Sequence, residues 1–178
     1  MIMNRKKLDP RLMYISASNY HKAARVLTSY LGQTHDGSIA SPMIMNMAFS
    51  AEVYLKCIHV IRSGAPPNKI HFLKDLFTTL SKDDKTEIRK YFDELIKSNP
   101  NAEAAKKAFP GIDLSLEGQL TMANKAFTEW RYSYENPPSS AGVIGDLLFA
   151  LRRHILNLQS DWKNDGPKID IPSQNQGV

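Results

Sequence analysis

The residues best suited to chemistry close a helical run, in the segment 130–135 with the sequence WRYSYE. Arg131 and Glu135 are four residues apart and share one helical face, and Trp130 and Tyr134 form a second pair at that spacing. Arginine binds phosphate through two parallel hydrogen bonds, and tyrosine stacks on nucleic-acid bases. The segment therefore predicts a polar pocket centred on Arg131, with Tyr132 and Tyr134 beside it. An intrahelical salt bridge with aromatic packing is the simpler interpretation.

A second polar group lies in an otherwise apolar helix predicted from residue 42 to residue 62. Glu52, Lys56 and His59 follow one another at helical spacing and share a face. A carboxylate buried alone is costly, so Glu52 needs a cation as its partner. Lys56 can supply it within the helix, and Arg131 can supply it from across the bundle. The group either orients a site or forms an ordinary structural ion pair.

His71 and Asp75 are four residues apart on a short helix predicted from His71 to Leu80. A His–Asp pair can act as an oriented base. The alternative is a polar pair at the beginning of a helix, with His71 near the cap.

Other kinds of site find no support in the sequence. The five histidines are scattered, and a HExxH motif, paired cysteines and a phosphate-binding glycine loop are absent, so we expect neither a metal nor a cofactor. The sequence Arg152-Arg153-His154 offers contacts to phosphate. Because the other face of its helix is rich in leucine, a solvated basic face is the simpler interpretation.

Composition limits the class of protein. The chain of 178 residues fits one domain, and its net charge of +5 permits an acidic or nucleic-acid partner without requiring one. Cys57 is the only cysteine, which excludes an intrachain disulfide and is typical of a reducing compartment. We expect a cytoplasmic protein without a membrane-spanning helix.

Apolar residues at helical spacing predict an all-α protein. The pattern indicates a bundle of four long helices with short helices inserted between them. The predicted domain covers residues 8–162, and the polar composition of residues 163–178 predicts a disordered tail. The predicted helices cover residues 11–31, 42–62, 71–80, 85–97, 102–109, 115–131 and 141–162.

Three motifs in this order resemble the HEPN superfamily of small helical proteins, which are common in prokaryotic defence and toxin–antitoxin systems. The similarity extends from about Leu12 to Leu158. The motifs are Ala51-Glu52-x-x-Leu55-Lys56, His71-x-Leu73-x-x-Leu76-Phe77-x-x-Leu80 and Phe127-x-x-Trp130-Arg131-Tyr132-x-Tyr134-Glu135.

The resemblance implies a bundle of four to five helices, a homodimer and, in many members, a metal-independent ribonuclease. Cleavage in active members depends on an Arg-x4-6-His motif, and this chain departs from it, because Asn136, Pro137 and Pro138 follow Arg131 where a histidine is expected. Without that histidine the usual proton transfer to and from the ribose is missing. The catalytic candidates that remain are Arg131, Tyr132 and Glu135.

Three hypotheses follow for the function. The first is a non-cleaving HEPN-like protein that binds RNA or a nucleotide, the second a ribonuclease with a degenerate site, and the third a dimeric interaction module whose polar groups fix helix register. A partner protein encoded nearby is compatible with each. The predicted ligand-binding residues are Arg131, Tyr132, Tyr134, Glu52, Lys56, His71 and Asp75.

Overall fold

The computed structural model describes residues 8–108, 110–131 and 144–169, and the regular structure in these ranges is helical throughout. The predicted all-α class is therefore confirmed. Seven α-helices and two short 3-10 helices, Gly37–Ile39 and Ser160–Asn164, follow one another in these ranges. The α-helices are α1 (Pro10–Thr34), α2 (Ala40–Ser63), α3 (Leu73–Thr78), α4 (Lys82–Ser98), α5 (Pro100–Ala108), α6 (Leu116–Arg131) and α7 (Gly145–Leu158).

Helix α2 is the centre of the domain. It packs against α1, α3, α6 and α7, and its buried residues lie on most sides of its circumference. The stretch Gly37–Ser63 is long and apolar enough to cross a membrane, but 61% of its most apolar part is buried in the domain. This is the pattern of a central core helix, which sequence spacing predicted for α2.

Local sequence signals fix several helix ends. Pro10 is the first residue of α1, and the Asp9 carboxylate accepts hydrogen bonds from the backbone of Arg11 and Leu12. Ser81 caps α4 by accepting a bond from the backbone of Asp84. Gly64 follows α2 with a positive φ of 80°, which glycine adopts without strain. The side chains of Asp9 and Ser81 thus mark the beginnings of α1 and α4.

The domain continues beyond the predicted boundary at residue 162. Asp165 forms a salt bridge with Arg11 at 2.7 Å, Gly166 lies against Ser18, and Ile169 is buried. Residues 163–169 therefore pack on α1, where the sequence predicted the beginning of a disordered tail. The polar composition of this segment predicted disorder, but the Arg11–Asp165 ion pair and the buried Ile169 side chain hold it on the domain. Residues 170–178 lie outside the described residues.

Candidate functional site

The structure brings three of the predicted ligand-binding residues together. Lys56 Nζ donates to Glu52 Oε1 at 2.6 Å, and His71 Nδ1 donates to the same oxygen at 2.9 Å. Glu52 is buried, whereas the side chain of His71 is 68% exposed. The buried carboxylate thus has two cationic or proton-donating partners, as its burial requires.

His59 and Asp75 do not join this Glu52 cluster. His59 Nε2 donates to the Leu76 carbonyl oxygen at 3.1 Å, which ties α2 to α3. Asp75 is exposed, and the predicted helical pairing of His71 with Asp75 is wrong because α3 begins only at Leu73. His71 therefore precedes the helix, and its ring turns to Glu52 instead.

The Glu52 cluster offers little room for a ligand. The adjoining recess has a volume of about 10 Å³, which is about the space that one water molecule occupies. Asn124 closes it by accepting a hydrogen bond from the backbone of Lys74. The geometry favours the structural interpretation, in which the cluster ties α2 to the segment before α3.

Arg131 is the last residue of α6 and lies far from Glu52. Ser41 Oγ donates to the carbonyl oxygen of Trp130 at 3.1 Å, so the end of α6 meets the beginning of α2. Glu52 is eleven residues further along α2, or about 16 Å at 1.5 Å per residue. The backbone of Arg131 therefore lies near the end of α2 that is distant from Glu52, and the Arg131–Glu52 pair stays a prediction. The side chain of Arg131 and residues Tyr132, Tyr134 and Glu135 lie outside the described residues.

The structure shows a different basic site on α1, which the sequence analysis missed. An open groove of about 350 Å³ follows this helix. Lys22 and Arg25 supply two positive charges to the groove, and α1 contains no aspartate or glutamate over its 25 residues. The residues lining it are Lys22, Arg25, Val26, Ser29, Tyr30, Gln33 and Ile169.

Arg25 connects this α1 groove to the interior. Its guanidinium lies 5.3 Å from the centre of the Phe149 ring, and Phe149 packs edge-on against His21 at 4.8 Å. On the other side, the guanidinium of Arg152 lies 5.9 Å from the ring centre of Tyr14. The structure gives neither arginine a hydrogen bond or an ion pair with another described residue.

Three buried side chains on α1 and α7 have polar atoms without a hydrogen-bond partner among the described residues. They are the Tyr14 hydroxyl, both ring nitrogens of His21, and Nε of Arg152. Tyr14 is 0% exposed and His21 is 1% exposed. Buried polar atoms in native proteins bond to protein or to ordered water, and the described residues supply no partner for these three groups. We call Tyr14, His21 and Arg152 the Tyr14 cluster.

The field around the Tyr14 cluster is positive. Burial, together with the charges of Arg152 and Arg25, lowers the pKa of His21 to about 3. The imidazole is therefore neutral at pH 7, with one donor and one acceptor nitrogen. An anion is the ligand that such surroundings favour.

The sequence carried a signal for this site. Tyr14, Ser18, His21 and Arg25 are spaced so that they share one face of α1. A polar face opposite an apolar one is ordinarily solvated, but here it points into the domain. Arg152 comes from α7 and is half-buried, so the predicted solvated basic face at residues 152–154 is wrong at this position and at His154, which is buried.

A second buried network ties α2, α4 and α7 together around Asp84. Arg62 donates to both carboxylate oxygens, the shortest bond being 2.6 Å, and Ser81 Oγ and His154 Nε2 donate at 2.6 and 2.8 Å. Burial raises the pKa of Asp84, but these bonds outweigh it and hold the pKa at about 2. We call Arg62, Ser81, Asp84 and His154 the Asp84 network.

A hollow of about 450 Å³ borders the Asp84 network. Its charge differs from that of the α1 groove, because Asp84 neutralises Arg62 and Asp83 adds a further negative charge. The hollow therefore offers less to an anion than the smaller groove does. Within the described ranges, no group of three or more histidine, cysteine, aspartate or glutamate residues is arranged to hold a metal ion.

We compared the chain with models of known protein families, with curated proteins and with solved structures, and none of the three comparisons gave a match.

Proposed function

We propose that this protein binds RNA or a nucleotide through the α1 groove. The observation that carries the proposal is the pairing of this groove with uncompensated positive charge. Lys22 and Arg25 line it, the charge of Arg152 acts together with that of Arg25 on the neighbouring His21, and the helix that forms the groove has no carboxylate. Phosphate is the anion that multiple arginine and lysine side chains bind best.

The remaining lining residues fit the other parts of a nucleotide. Tyr30 is 45% exposed and offers a ring on which a base can stack. Ser29 and Gln33 are exposed and supply hydroxyl and amide groups for bonds to ribose or base edges. Only three positive charges are involved, so the proposed ligand is a short single-stranded segment rather than a long duplex.

This proposal keeps the ligand class expected from the resemblance and changes the place where the ligand binds. The HEPN-like four-helix arrangement and the setting in prokaryotic defence remain part of the proposal. An Arg131-centred pocket is not required, because the charges on α1 and α7 supply the phosphate contacts.

The test is a titration of a short labelled single-stranded RNA with purified protein at several salt concentrations. Contact with three phosphates predicts a slope of about −2 in a plot of log K against log salt, at about −0.7 for each phosphate. The Lys22→Glu substitution should weaken binding by about tenfold or more at low salt, because it replaces an attraction with a repulsion. Scoring the same samples for cleavage in chelator separates a binding protein from a ribonuclease.

Lys90→Glu is the matched control. Lys90 is an exposed lysine on α4, a helix with five basic and five acidic residues, and its reversal changes the net charge by the same amount. If RNA fails to bind at low salt, or if both substitutions weaken binding equally, the α1 groove is not the site.

A second candidate function is self-association, favoured by exposed apolar side chains on the outer faces of α1 and α2. Tyr20 and Phe49 form an exposed edge-to-face pair at 4.6 Å, and Leu12 is 63% exposed. Such side chains are typical of interfaces between copies. Sedimentation velocity of wild type and Leu12→Ser at equal concentration would test it, with a dimer that the substitution dissociates as the expected result.

A further inference from the structure

The C-terminal segment of the chain begins at the edge of the α1 groove. Ile169 is the last described residue, and its buried side chain lines the groove together with Lys22 and Arg25. Residues 170–178 follow directly, with the sequence DIPSQNQGV. The fold therefore places the first residue of this segment beside the groove.

The chain before Ile169 runs along α1 toward the open part of the groove. Asp165 pairs with Arg11 at 2.7 Å near the beginning of the helix. Four residues later, Ile169 has reached the groove beside Lys22, so the chain and the helix advance in the same direction. The groove residues that lie ahead are Val26, Ser29, Tyr30 and Gln33.

The length of the segment fits the length of the groove. From Lys22 to Gln33 the helix advances eleven residues, or about 16 Å at 1.5 Å per residue. Five residues in an extended conformation also span about 16 Å, so residues 170–174 are long enough to cover the groove. Pro172 favours this conformation, because its ring fixes φ and disfavours a helical conformation at the preceding residue.

The charge of the segment is complementary to that of the groove. Asp170 is the only charged residue among residues 170–178. It follows a residue that lies beside Lys22 and Arg25, on a helix that has no carboxylate of its own. Because an exposed ion pair contributes little to stability, Asp170 serves mainly to fix the position of the segment.

The apolar contact comes from Ile171. Side chains two residues apart face the same side of an extended chain, so Ile171 continues the contact that Ile169 makes with α1. The apolar surface ahead of Ile169 is exposed, 57% for Val26 and 45% for Tyr30. Removal of these apolar surfaces from water stabilises the docked segment.

We propose that residues 170–174 occupy the α1 groove and compete there with RNA. The competition rests on the proposed function, whereas the docking of the segment rests on the groove alone. Because the segment is tethered at Ile169, its local concentration is high, and a weak contact is sufficient to hold it in the groove. RNA then binds only the fraction of molecules whose groove is open, and its apparent affinity is lowered by that fraction.

The docking is tested without RNA, in the full chain with Gln33→Cys and Gln174→Cys. Native Cys57 is buried and therefore reacts little. We expect oxidised glutathione to join the two new cysteines at least about fivefold faster than in the same protein with Ile171→Ser, which keeps the tether length and removes the apolar contact. Equal rates would overturn the proposal.

Val178→Ser is the matched control for Ile171→Ser. It also replaces an apolar side chain of the segment with a hydroxyl, but residue 178 lies beyond the five residues that cover the groove. It should leave the rate of disulfide formation unchanged. A loss of rate as large as that for Ile171→Ser would mean that residues 170–174 do not dock in the proposed position, and the proposal would fail.

The competition is tested by titration of the same short single-stranded RNA with otherwise native protein. Removal of residues 170–178 and Ile171→Ser should each tighten binding by at least about threefold, since both increase the fraction of open grooves. Val178→Ser should not. Ile171→Ser leaves the net charge unchanged, so its effect cannot come from a more positive protein.

The outcomes separate this proposal from the proposed function. Failure of every variant to bind RNA would remove the proposed function and the competition with it, and the disulfide rates would still decide whether the segment docks. RNA binding that neither the deletion nor Ile171→Ser tightens would leave the groove as an RNA site and overturn the competition.

Discussion

Two groups of buried polar residues lie between the helices of this protein, and each contains a histidine. In the Asp84 network, the carboxylate receives hydrogen bonds from three side chains, and His154 Nε2 is one of the donors. In the Tyr14 cluster, the hydroxyl of Tyr14 and both nitrogens of His21 lack partners among the described residues. The two histidines differ in degree: His154 is bonded through Nε2 and has no partner for Nδ1 among the described residues, whereas His21 is bonded through neither ring nitrogen.

The difference separates polar groups that tie helices together from polar groups that do not. A satisfied network fixes the relative position of the helices that supply it, and the Asp84 network joins α2, α4 and α7 in this way. An unsatisfied group contributes nothing comparable to the fold and costs stability.

Removal of Asp84 should have the largest effect on stability. Asp84→Ala leaves His154 buried without its acceptor and deprives Arg62 of its counter-charge, since the carboxylate is 0% exposed. Breaking a buried pair from one side costs about 3–5 kcal/mol. Urea denaturation followed by circular dichroism would measure the change in the free energy of unfolding.

Asp83→Ala is the control for that substitution. Asp83 is exposed in the same first turn of α4, so its loss removes only the favourable charge near the helix terminus, about 1 kcal/mol or less. Equal losses for the two variants would mean that Asp84 acts through the helix terminus alone, and the Asp84 network would lose its role as the tie between helices.

His21 should make the protein less stable in mild acid. Its pKa is about 3 in the folded protein and 6.5 in the unfolded chain, so below pH 6.5 the unfolded state binds the extra proton. The free energy of unfolding then falls as the pH falls from 6.5 toward 3, by up to about 1.4 kcal/mol for each pH unit. The groups that act on His21 are Arg25 and Arg152, and both favour its neutral form.

His21→Leu should remove this pH dependence, because leucine binds no proton. Denaturation of wild type and variant at pH 7, 6, 5 and 4 would show curves that diverge as the pH falls, with the variant losing less stability. Parallel curves would mean that His21 is not buried as a neutral imidazole. Asp84 affects the free energy of unfolding in a lower pH range than His21 does. Its stabilisation is complete above pH 3.8 and is lost only as the pH falls toward 2.

The sequence predicted the helical class and most helix positions because the local signals were strong. Asp9-Pro10 and Ser81 mark helix beginnings through their own hydrogen-bonding chemistry, and α2 is apolar on most sides. The errors occurred where tertiary contacts overrode local pattern. His71 was assigned to a helix that begins at Leu73, because its ring is held by Glu52 from α2.

The candidate site was harder to predict because it combines residues distant in sequence. Glu52 and Lys56 were found together because they are four residues apart on one helix. The Tyr14 cluster joins α1 to Arg152 on α7, and no local spacing connects positions so far apart. The absence of partners is itself a property of the folded chain, so sequence spacing could identify the polar face of α1 but not its unsatisfied state.

The smallest effects come from two buried tyrosines that differ only in their hydrogen bonding. The Tyr54 hydroxyl pairs with Ser18 Oγ at 3.0 Å, and the Tyr14 hydroxyl has no partner in the described part of the chain. Tyr54→Phe should therefore cost about 0.5–1.5 kcal/mol, whereas Tyr14→Phe should leave the free energy of unfolding unchanged or slightly higher. Both substitutions keep the ring that packs in the core, so urea denaturation of the two variants isolates the hydroxyl groups.

A loss for Tyr14→Phe as large as that for Tyr54→Phe would mean that the Tyr14 hydroxyl already has a partner in solution, such as an ordered water. The Tyr14 cluster would then resemble the Asp84 network, and the contrast in hydrogen bonding between them would disappear.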